Sequence, residues 1–203
     1  MKSYGTVGAD EQKQMSGLEF VKGLADGTLP LNTIARTLGY DIVEAEAGRV
    51  VVTAEPTVGH LNPAGTVHGG LAATMLDSCM GLAIQSTLDK GRGSTTLEFK
   101  ISFVRPITPE TGLIRAEGTV LSRGRRVGVA DGRVTDAKGR LLVHGTTTCL
   151  IFEGHGMKAY DTVSADEQKQ MSGFGVRRLI RWPGPLGCEV VEAESGRVAR
   201  PSA

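Results

Sequence analysis

Aromatic residues are scarce in this sequence, and so are cysteines. Phe, Trp and Tyr make up 4% of the 203 residues, so the core must be built largely from aliphatic side chains. The only cysteines are Cys79, Cys149 and Cys188, an odd number with no metal-ligand spacing. This distribution argues against a disulfide framework and against a zinc site, and we expect neither a metal nor a cofactor.

An excess of charge of one sign is also lacking, since 23 basic residues face 22 acidic ones. Balanced charge gives no reason to expect nucleic acid or a membrane surface as a partner. The N-terminus carries no apolar targeting segment, and the apolar stretch at residues 71–88 is interrupted by Asp77 and Gln85. Such a stretch suits a core helix better than a membrane span. We therefore expect a reduced, cytoplasmic protein.

The chain repeats its own beginning. Residues 157–173 repeat residues 1–17 with few changes, and residues 187–198 resemble residues 39–50. The second copy stops before any counterpart of the glycine-rich segment that follows the first copy. A solenoid needs three or more complete units, so the repeat does not indicate one.

We interpret the chain as one domain with an appendage, because its length suits a single core of ordinary size. Residues 1–153 form the domain in this interpretation. Residues 154–203 are a truncated repeat of the domain start and have too few elements for a core of their own.

Hydrophobic periodicity and turn residues predict the secondary structure of the domain. Helices are predicted at residues 9–25, 32–38 and 68–88. Strands are predicted at residues 40–45, 49–55, 94–104, 112–122, 126–136 and 140–152. Consecutive strands joined by short turns pair antiparallel, so the fold class is α+β. One long apolar helix and one curved antiparallel sheet can bury each other.

A single carboxylate stands out in the predicted long helix. Asp77 is the only charged residue between Leu71 and Leu88. Burying a carboxylate costs several kcal/mol unless the group is paired or used, so its position needs an explanation. Asp77 either reaches solvent from an ordinary core helix or performs chemistry.

The residues before and after this helix resemble a known family. The pattern consists of Asn62, Gly65, His68, Gly69, Gly70 and Asp77, followed by residues 94–106 and 121–126. It resembles the signature of hotdog-fold acyl-CoA thioesterases of the PaaI-like, phenylacetate-pathway branch, and the likeness covers roughly residues 35–153. The resemblance implies a long central helix wrapped by a curved antiparallel sheet, preceded here by an N-terminal helix. It also implies a homodimer with composite active sites, often paired into a homotetramer.

Thioester hydrolysis needs an activated water and a donor for the oxyanion that develops on the carbonyl. Gly69 lies where a helix would begin, so its backbone N–H is free to donate. Asp77 is the candidate general base or nucleophile, and the sequence does not separate these roles. Gly69 and Asp77 are more than two helical turns apart. A two-fold partner, but not one chain, can bring both to one carbonyl.

The resemblance assigns further residues to the site. Thr96 corresponds to a residue that orients the water, although it is equally an ordinary strand threonine. Asn62 and His68 either hold the loop or contact the thioester. The pair of glycines either makes room for the acyl group or provides a sharp turn, and Gly70 and Phe103 are assigned to substrate binding.

A short basic turn lies between two predicted strands. It contains Arg123, Gly124, Arg125 and Arg126 and follows Ser122. Arginines recognise phosphate through forked donors, and coenzyme A carries several phosphate charges. The resemblance places coenzyme A contacts along this turn; a solvated hairpin turn is the alternative.

The residues together predict an enzyme that hydrolyses acyl-CoA thioesters to free acid and coenzyme A. Coenzyme A is then part of the substrate and not a cofactor. Two alternatives are a non-catalytic acyl-CoA binding module, which would not need Asp77, and a hotdog dehydratase or hydratase, which uses a different arrangement of His and acid. The sequence does not reveal the acyl group.

Overall fold

The computed structural model describes residues 2–153. The predicted repeat at residues 154–203 lies outside these described residues. Among residues 2–153, no helix has the length and apolar character needed to cross a membrane.

Four α-helices and six strands follow one another along the described chain. The helices are α1 (Ala9–Lys13), α2 (Gly17–Asp26), α3 (Thr33–Leu38) and α4 (Gly69–Gln85). The strands are β1 (Tyr40–Glu46), β2 (Arg49–Ala54), β3 (Arg92–Phe103), β4 (Ile114–Arg123), β5 (Val127–Asp136) and β6 (Leu141–Glu153). Helix α4 and all six strands match the predicted elements within a few residues, and the α+β class is confirmed.

The prediction of one N-terminal helix over residues 9–25 is wrong, because the chain breaks at Ser16. Ser16 has an extended backbone and caps α2: its hydroxyl accepts the N–H of Glu19. The Glu19 carboxylate accepts the Ser16 N–H in return, at 2.7 Å, and this bond lowers the pKa of Glu19. Such a reciprocal capping box starts a new helix at Gly17. The helical turn predicted at residues 32–38 is confirmed as α3.

All strands pair antiparallel in one sheet with the order β1-β2-β4-β5-β6-β3. Strands β3 and β4 are consecutive in the chain but are not neighbours. Residues 104–113 carry the chain from β3, at the edge beside β6, to β4, in the middle beside β2. Strands β2 and β3, which α4 separates in the chain, are not neighbours either, so this is the one connection without an α-helix where consecutive strands do not pair.

Helix α4 lies against one face of the sheet at very short range. Gly118 in β4 and Gly132 in β5 are register partners on that face. A Cβ atom on Gly118 would lie 2.5 Å from the carbonyl carbon of Cys79, and one on Gly132 would lie 2.8 Å from Leu76 Cδ2. The sheet glycines thus let the helix backbone approach the strands directly. The helix buries its apolar side chains there, including Leu71, Ala72, Met75, Leu76, Met80, Ala83 and Ile84.

Candidate active site

Asp77 meets Thr96 between the middle of α4 and strand β3. The Thr96 hydroxyl donates to Asp77 Oδ1 at 2.9 Å. Both residues are half-buried, on the side of α4 that the sheet does not fully cover. The register of β3 against β6 shifts between Thr96 and Glu98. A β-bulge of this kind bends the strand and redirects side chains, and it lies next to Thr96.

Cys149 completes the surroundings of this pair. It is the register partner of Thr96 on β6, and its Sγ lies 3.9 Å from the Thr96 hydroxyl. Burial raises the pKa of the Cys149 thiol, hydrogen bonding with Thr96 and Thr147 lowers it, and the nearby Asp77 charge raises it further. The net shift is upward, so the thiol is neutral at neutral pH. Thr96 therefore lies between a carboxylate and a neutral thiol.

The two glycines at the start of α4 are closely approached by other side chains and have no unusual backbone conformation. Neither Gly69 nor Gly70 has a positive φ, which argues against the sharp-turn interpretation. A Cβ on Gly69 would lie 2.8 Å from Phe103 Cζ, and one on Gly70 would lie 2.9 Å from His68 Nδ1. Phe103, with 58% of its surface exposed, thus lies directly over Gly69. As the first helical residue, Gly69 has an N–H that precedes the intrahelical hydrogen bonds.

His68 caps α4, and Asn62 holds the loop before it. His68 Nδ1 accepts the Gly70 N–H at 2.9 Å, so in a neutral imidazole the proton is on Nε2. Asn62 Oδ1 accepts the N–H groups of Ala64 and Thr66, and its Nδ2 donates to the Thr66 hydroxyl at 2.8 Å. These hydrogen bonds fit the loop-holding role of Asn62 and His68, and a contact of either residue with the thioester stays a prediction.

A cleft of about 450 Å³ opens beside Gly69. Its walls are mostly apolar, and they are formed by Thr66, Val67, Gly69, Phe103, Val104, Arg105, Pro106 and Ile107. Asp77 is not one of the lining residues. Eight residues of helix separate Gly69 from Asp77, which at about 1.5 Å per residue is about 12 Å. The chain thus forms two half-sites: Asp77 with Thr96, and Gly69 with Phe103 and the cleft.

The basic turn lies at the other end of α4. Ser122 and Arg123 end β4, and the turn residues up to Arg126 are exposed. A Cβ on Gly128, two residues after the turn, would lie 2.7 Å from Ile84 near the C-terminus of α4. Gly69 is at the N-terminus of the same helix. The turn and the cleft of one chain therefore lie at opposite ends of α4.

Among residues 2–153, no three His, Cys, Asp or Glu side chains group closely enough to hold a metal ion. His60 and His68 are joined only by a backbone bond from His68 N–H to the His60 carbonyl. The titratable groups of the site are thus those already described.

Comparison with known proteins gives the family. The model of the thioesterase superfamily matches residues 64–143. A phenylacetic acid degradation-related protein from Ralstonia eutropha JMP134 is 32% identical, with a TM-score of 0.59 over 64% of this chain and 98% of that one. The chain belongs to the thioesterase superfamily. The hotdog fold and the PaaI-like resemblance expected from the sequence are confirmed by the same likeness.

Two further relatives carry more specific names. Human acyl-coenzyme A thioesterase 13 is 28% identical over 115 residues, which cover 56% of this chain and 81% of that protein. A Streptococcus mutans UA159 protein, solved with acetyl CoA bound, is 29% identical with a TM-score of 0.52. The match to it covers 58% of this chain and 91% of that one.

The family segment contains most of both half-sites, since it includes Gly69, Asp77, Thr96 and Phe103. Sequence reasoning missed Cys149 as a neighbour of Thr96 and did not predict the cleft walls. Cys149 reads in the sequence as an ordinary buried strand residue, and only the β3–β6 register places it at the site. Alternation along the two strands would have identified it if their pairing had been known.

Proposed function

We propose that this protein hydrolyses acyl-CoA thioesters to a free acid and coenzyme A. The observation that carries the proposal is the hydrogen bond from Thr96 to Asp77 on the partly exposed side of the central helix. Membership of the thioesterase superfamily supports it. So do the acyl-coenzyme A thioesterase name of the human relative and the acetyl CoA bound to the Streptococcus mutans protein.

In the proposed reaction Asp77 activates water. Because Thr96 donates to Oδ1, the second carboxylate oxygen remains free to accept a proton from water. The water oxygen forms a bond to the thioester carbonyl carbon, and the carbonyl electrons move onto oxygen. When the oxyanion collapses, the C–S bond breaks and the thiolate takes the proton held by Asp77. Direct attack by Asp77, forming an anhydride that water then opens, is the alternative course.

The oxyanion donor in this proposal is the Gly69 N–H of a second protomer. Within one chain the two half-sites are about 12 Å apart along the helix, which is too far for one carbonyl. A two-fold pairing of antiparallel α4 helices would place Gly69 and Phe103 of one protomer against Asp77 and Thr96 of the other. Each dimer then contains two equivalent sites.

Strand β3 offers the surface for such a dimer. It is an edge strand, so one row of its backbone N–H and C=O groups has no strand partner in the described sheet. Leu97, Phe99 and Phe103 are 57%, 42% and 58% exposed on this strand. Exposed edges that carry large apolar side chains pair readily with another chain. We infer a homodimer through this edge; a further homotetramer stays a prediction.

Coenzyme A is held in this proposal by the basic turn. Arg125 and Arg126 are exposed, and the Arg123 guanidinium is 3.5 Å from the Asp89 carboxylate, a long and weak contact. Guanidinium groups bind phosphate through two parallel hydrogen bonds. The acyl chain lies in the apolar cleft beside Gly69 and Phe103, where its carbonyl reaches the helix N-terminus.

The decisive experiment replaces Asp77 by Asn, which keeps its shape and removes its charge. A panel of acyl-CoA esters is assayed by release of free thiol. We expect the wild type to be active and the variant to be slower by about 10²-fold or more, as for loss of a general base. Asp131→Asn, on the outer face of β5, is the matched control and should retain activity. Unchanged turnover by the Asp77 variant would contradict the catalytic role, and wild-type coenzyme A binding without turnover would favour a binding module.

A further inference from the structure

Arg92 lies outside every motif described above, yet it connects the central helix, strand β3 and the basic turn. It is the first residue of β3 and is half-buried. Its guanidinium Nη2 donates to the carbonyl oxygen of Arg125 at 2.5 Å. Its own carbonyl accepts from Gln85 Nε2, at the end of α4, at 3.4 Å. Arg92 therefore anchors the basic turn through the Arg125 carbonyl.

This contact sets the direction of one peptide group. In a trans peptide the C=O and the following N–H point in opposite directions. Because the Arg125 carbonyl points toward Arg92, the Arg126 N–H points away from it. The next carbonyl, that of Arg126, accepts the Ile151 N–H at 2.8 Å. The carbonyls of Arg125 and Arg126 thus both accept from protein groups, and the peptide N–H between them faces away from Arg92.

We propose that Arg92 is a positioning residue for phosphate binding at the turn. It orients the Arg125–Arg126 peptide so that the N–H, together with the two exposed guanidinium groups, receives a phosphate of coenzyme A. Outward N–H groups beside cationic side chains form a common anion-binding arrangement. If the Arg125 peptide flipped, its carbonyl oxygen would face the phosphate and repel it. The proposal rests on the proposed function only in naming coenzyme A as the source of the phosphate.

The test measures binding of coenzyme A and turnover in the full-length chain. Arg92→Met keeps much of the aliphatic length and removes the donor. We expect it to raise the Kd for coenzyme A, and the KM for acyl-CoA, by about tenfold, the effect of one charge-assisted contact. Kinetic constants for short acyl-pantetheine thioesters, which lack the nucleotide phosphates, should stay within about twofold. Unchanged kinetic constants for these substrates would also show that the variant is folded.

A second comparison separates positioning from direct contact. Arg125→Ala with Arg126→Ala should itself weaken coenzyme A binding and spare the pantetheine substrate. In that background Arg92→Met should have a smaller effect than in the wild type, because both guanidinium groups of the turn are gone and only the peptide N–H is left to position. Multiplying effects would mean that Arg92 contacts the phosphate itself, and the positioning role would be wrong. Equal losses on both substrates would also overturn the proposal, because they indicate a general effect on the fold.

Arg140→Met is the matched control. Arg140 also holds a turn, through a 2.6 Å bond from Nε to Asp136 Oδ2, but it does so between β5 and β6 at the other end of the sheet. It should leave coenzyme A binding unchanged.

Binding is measured directly, so the hydrolysis proposal and the Arg92 proposal can fail separately. Arg92-dependent coenzyme A binding without thiol release would remove only the hydrolysis proposal. Hydrolysis with an unchanged KM in Arg92→Met would contradict only the positioning role of Arg92.

Discussion

Thr96 has one hydroxyl proton, and the structure commits that proton to Asp77. Thr96→Val keeps the β-branched shape on the strand and removes the donor, so the carboxylate loses its fixed orientation. We expect kcat to fall about tenfold, which is less than the effect of losing the base itself, while KM changes less than about twofold. Steady-state kinetics with one acyl-CoA ester would measure both constants.

Thr95→Val and Thr96→Ser are the controls for this prediction. Thr95 pairs with Leu150 and is the preceding residue in β3, so its side chain points to the opposite face of the sheet. It should tolerate valine without loss of kcat. Thr96→Ser keeps the hydroxyl and should retain most activity. Wild-type kcat in Thr96→Val would show that Asp77 does not depend on this hydrogen bond.

For individual site residues, the sequence predicted which residue types belong to the site better than it predicted what each residue does. The resemblance assigned Thr96 and Phe103 to the site, but it did not predict that they contact Asp77 and Gly69. The hydrogen bonds of Asn62 and His68 were not predictable, because a side chain in a loop has many local partners available. The close neighbour of Gly69 was not predictable either: the space beside it is occupied by Phe103, which is more than thirty residues away in the sequence.

The contact between α4 and the sheet predicts that two alanine substitutions lower the free energy of unfolding by different amounts. A Cβ on Gly118 would lie within about 2.6 Å of backbone atoms of Cys79 and Met80, which cannot move without shifting the helix. On Gly128 the clash is with the Ile84 side chain, which can shift more easily than the backbone of a helix. We expect Gly118→Ala to lower the free energy of unfolding by about 3 kcal/mol and Gly128→Ala by less than about 1.5 kcal/mol.

Urea denaturation at one fixed protein concentration would measure this difference, since dimer stability depends on concentration. Gly139→Ala serves as a different kind of control. Gly139 has open space around it but a φ of 74°, so any loss there reflects backbone strain and not packing. Similar losses at Gly118 and Gly128 would mean that α4 adjusts its distance from the sheet freely.

The elements themselves were largely predictable, because hydrophobic periodicity and turn residues are local signals. The break between α1 and α2 also had a local signal, the spacing of Ser16 and Glu19, which the broad helical pattern concealed. The place of β3 in the sheet had none. Strand order depends on where residues 104–113 carry the chain after β3, and periodicity along a strand does not identify its neighbour.

The composite site predicts complementation between two inactive chains. Gly69→Val blocks one half-site and Asp77→Ala removes the other, so each homodimer should be nearly inactive. A mixed dimer contains one site assembled from the two intact halves and one site with both substitutions, so it should recover up to about half of the wild-type activity per dimer. Co-expression with two affinity tags isolates the heterodimer for assay.

Circular dichroism of each single variant must match the wild type, because a Cβ at Gly69 displaces Phe103. Gly69→Ala, with a smaller side chain, is a second partner for the same experiment if the valine variant is poorly folded. Verified, folded heterodimers without recovered activity would contradict a site shared between protomers.

The repeated tail should be dispensable. It copies the sequence of the opening helices and first strand, and it includes no counterpart of Gly69, Asp77 or Thr96. A chain that ends at Gly154 should remain soluble and dimeric, with kcat and KM within about twofold of the full chain. Size-exclusion chromatography with light scattering and the thiol-release assay would measure these properties. Aggregation or lost turnover after truncation would show that residues 155–203 support the domain.

The sequence by itself determined the family, the α+β class, the nature of most elements and the candidate acid, because these depend on residue type and on spacing within short segments. The tertiary structure alone decided which residues meet. The β3–β6 register placed Cys149 behind Thr96, the end of β3 placed Phe103 over Gly69, and the start of β3 placed Arg92 beneath the basic turn. Contacts between distant segments depend on strand order and helix packing, which arise from burial of the whole core at once.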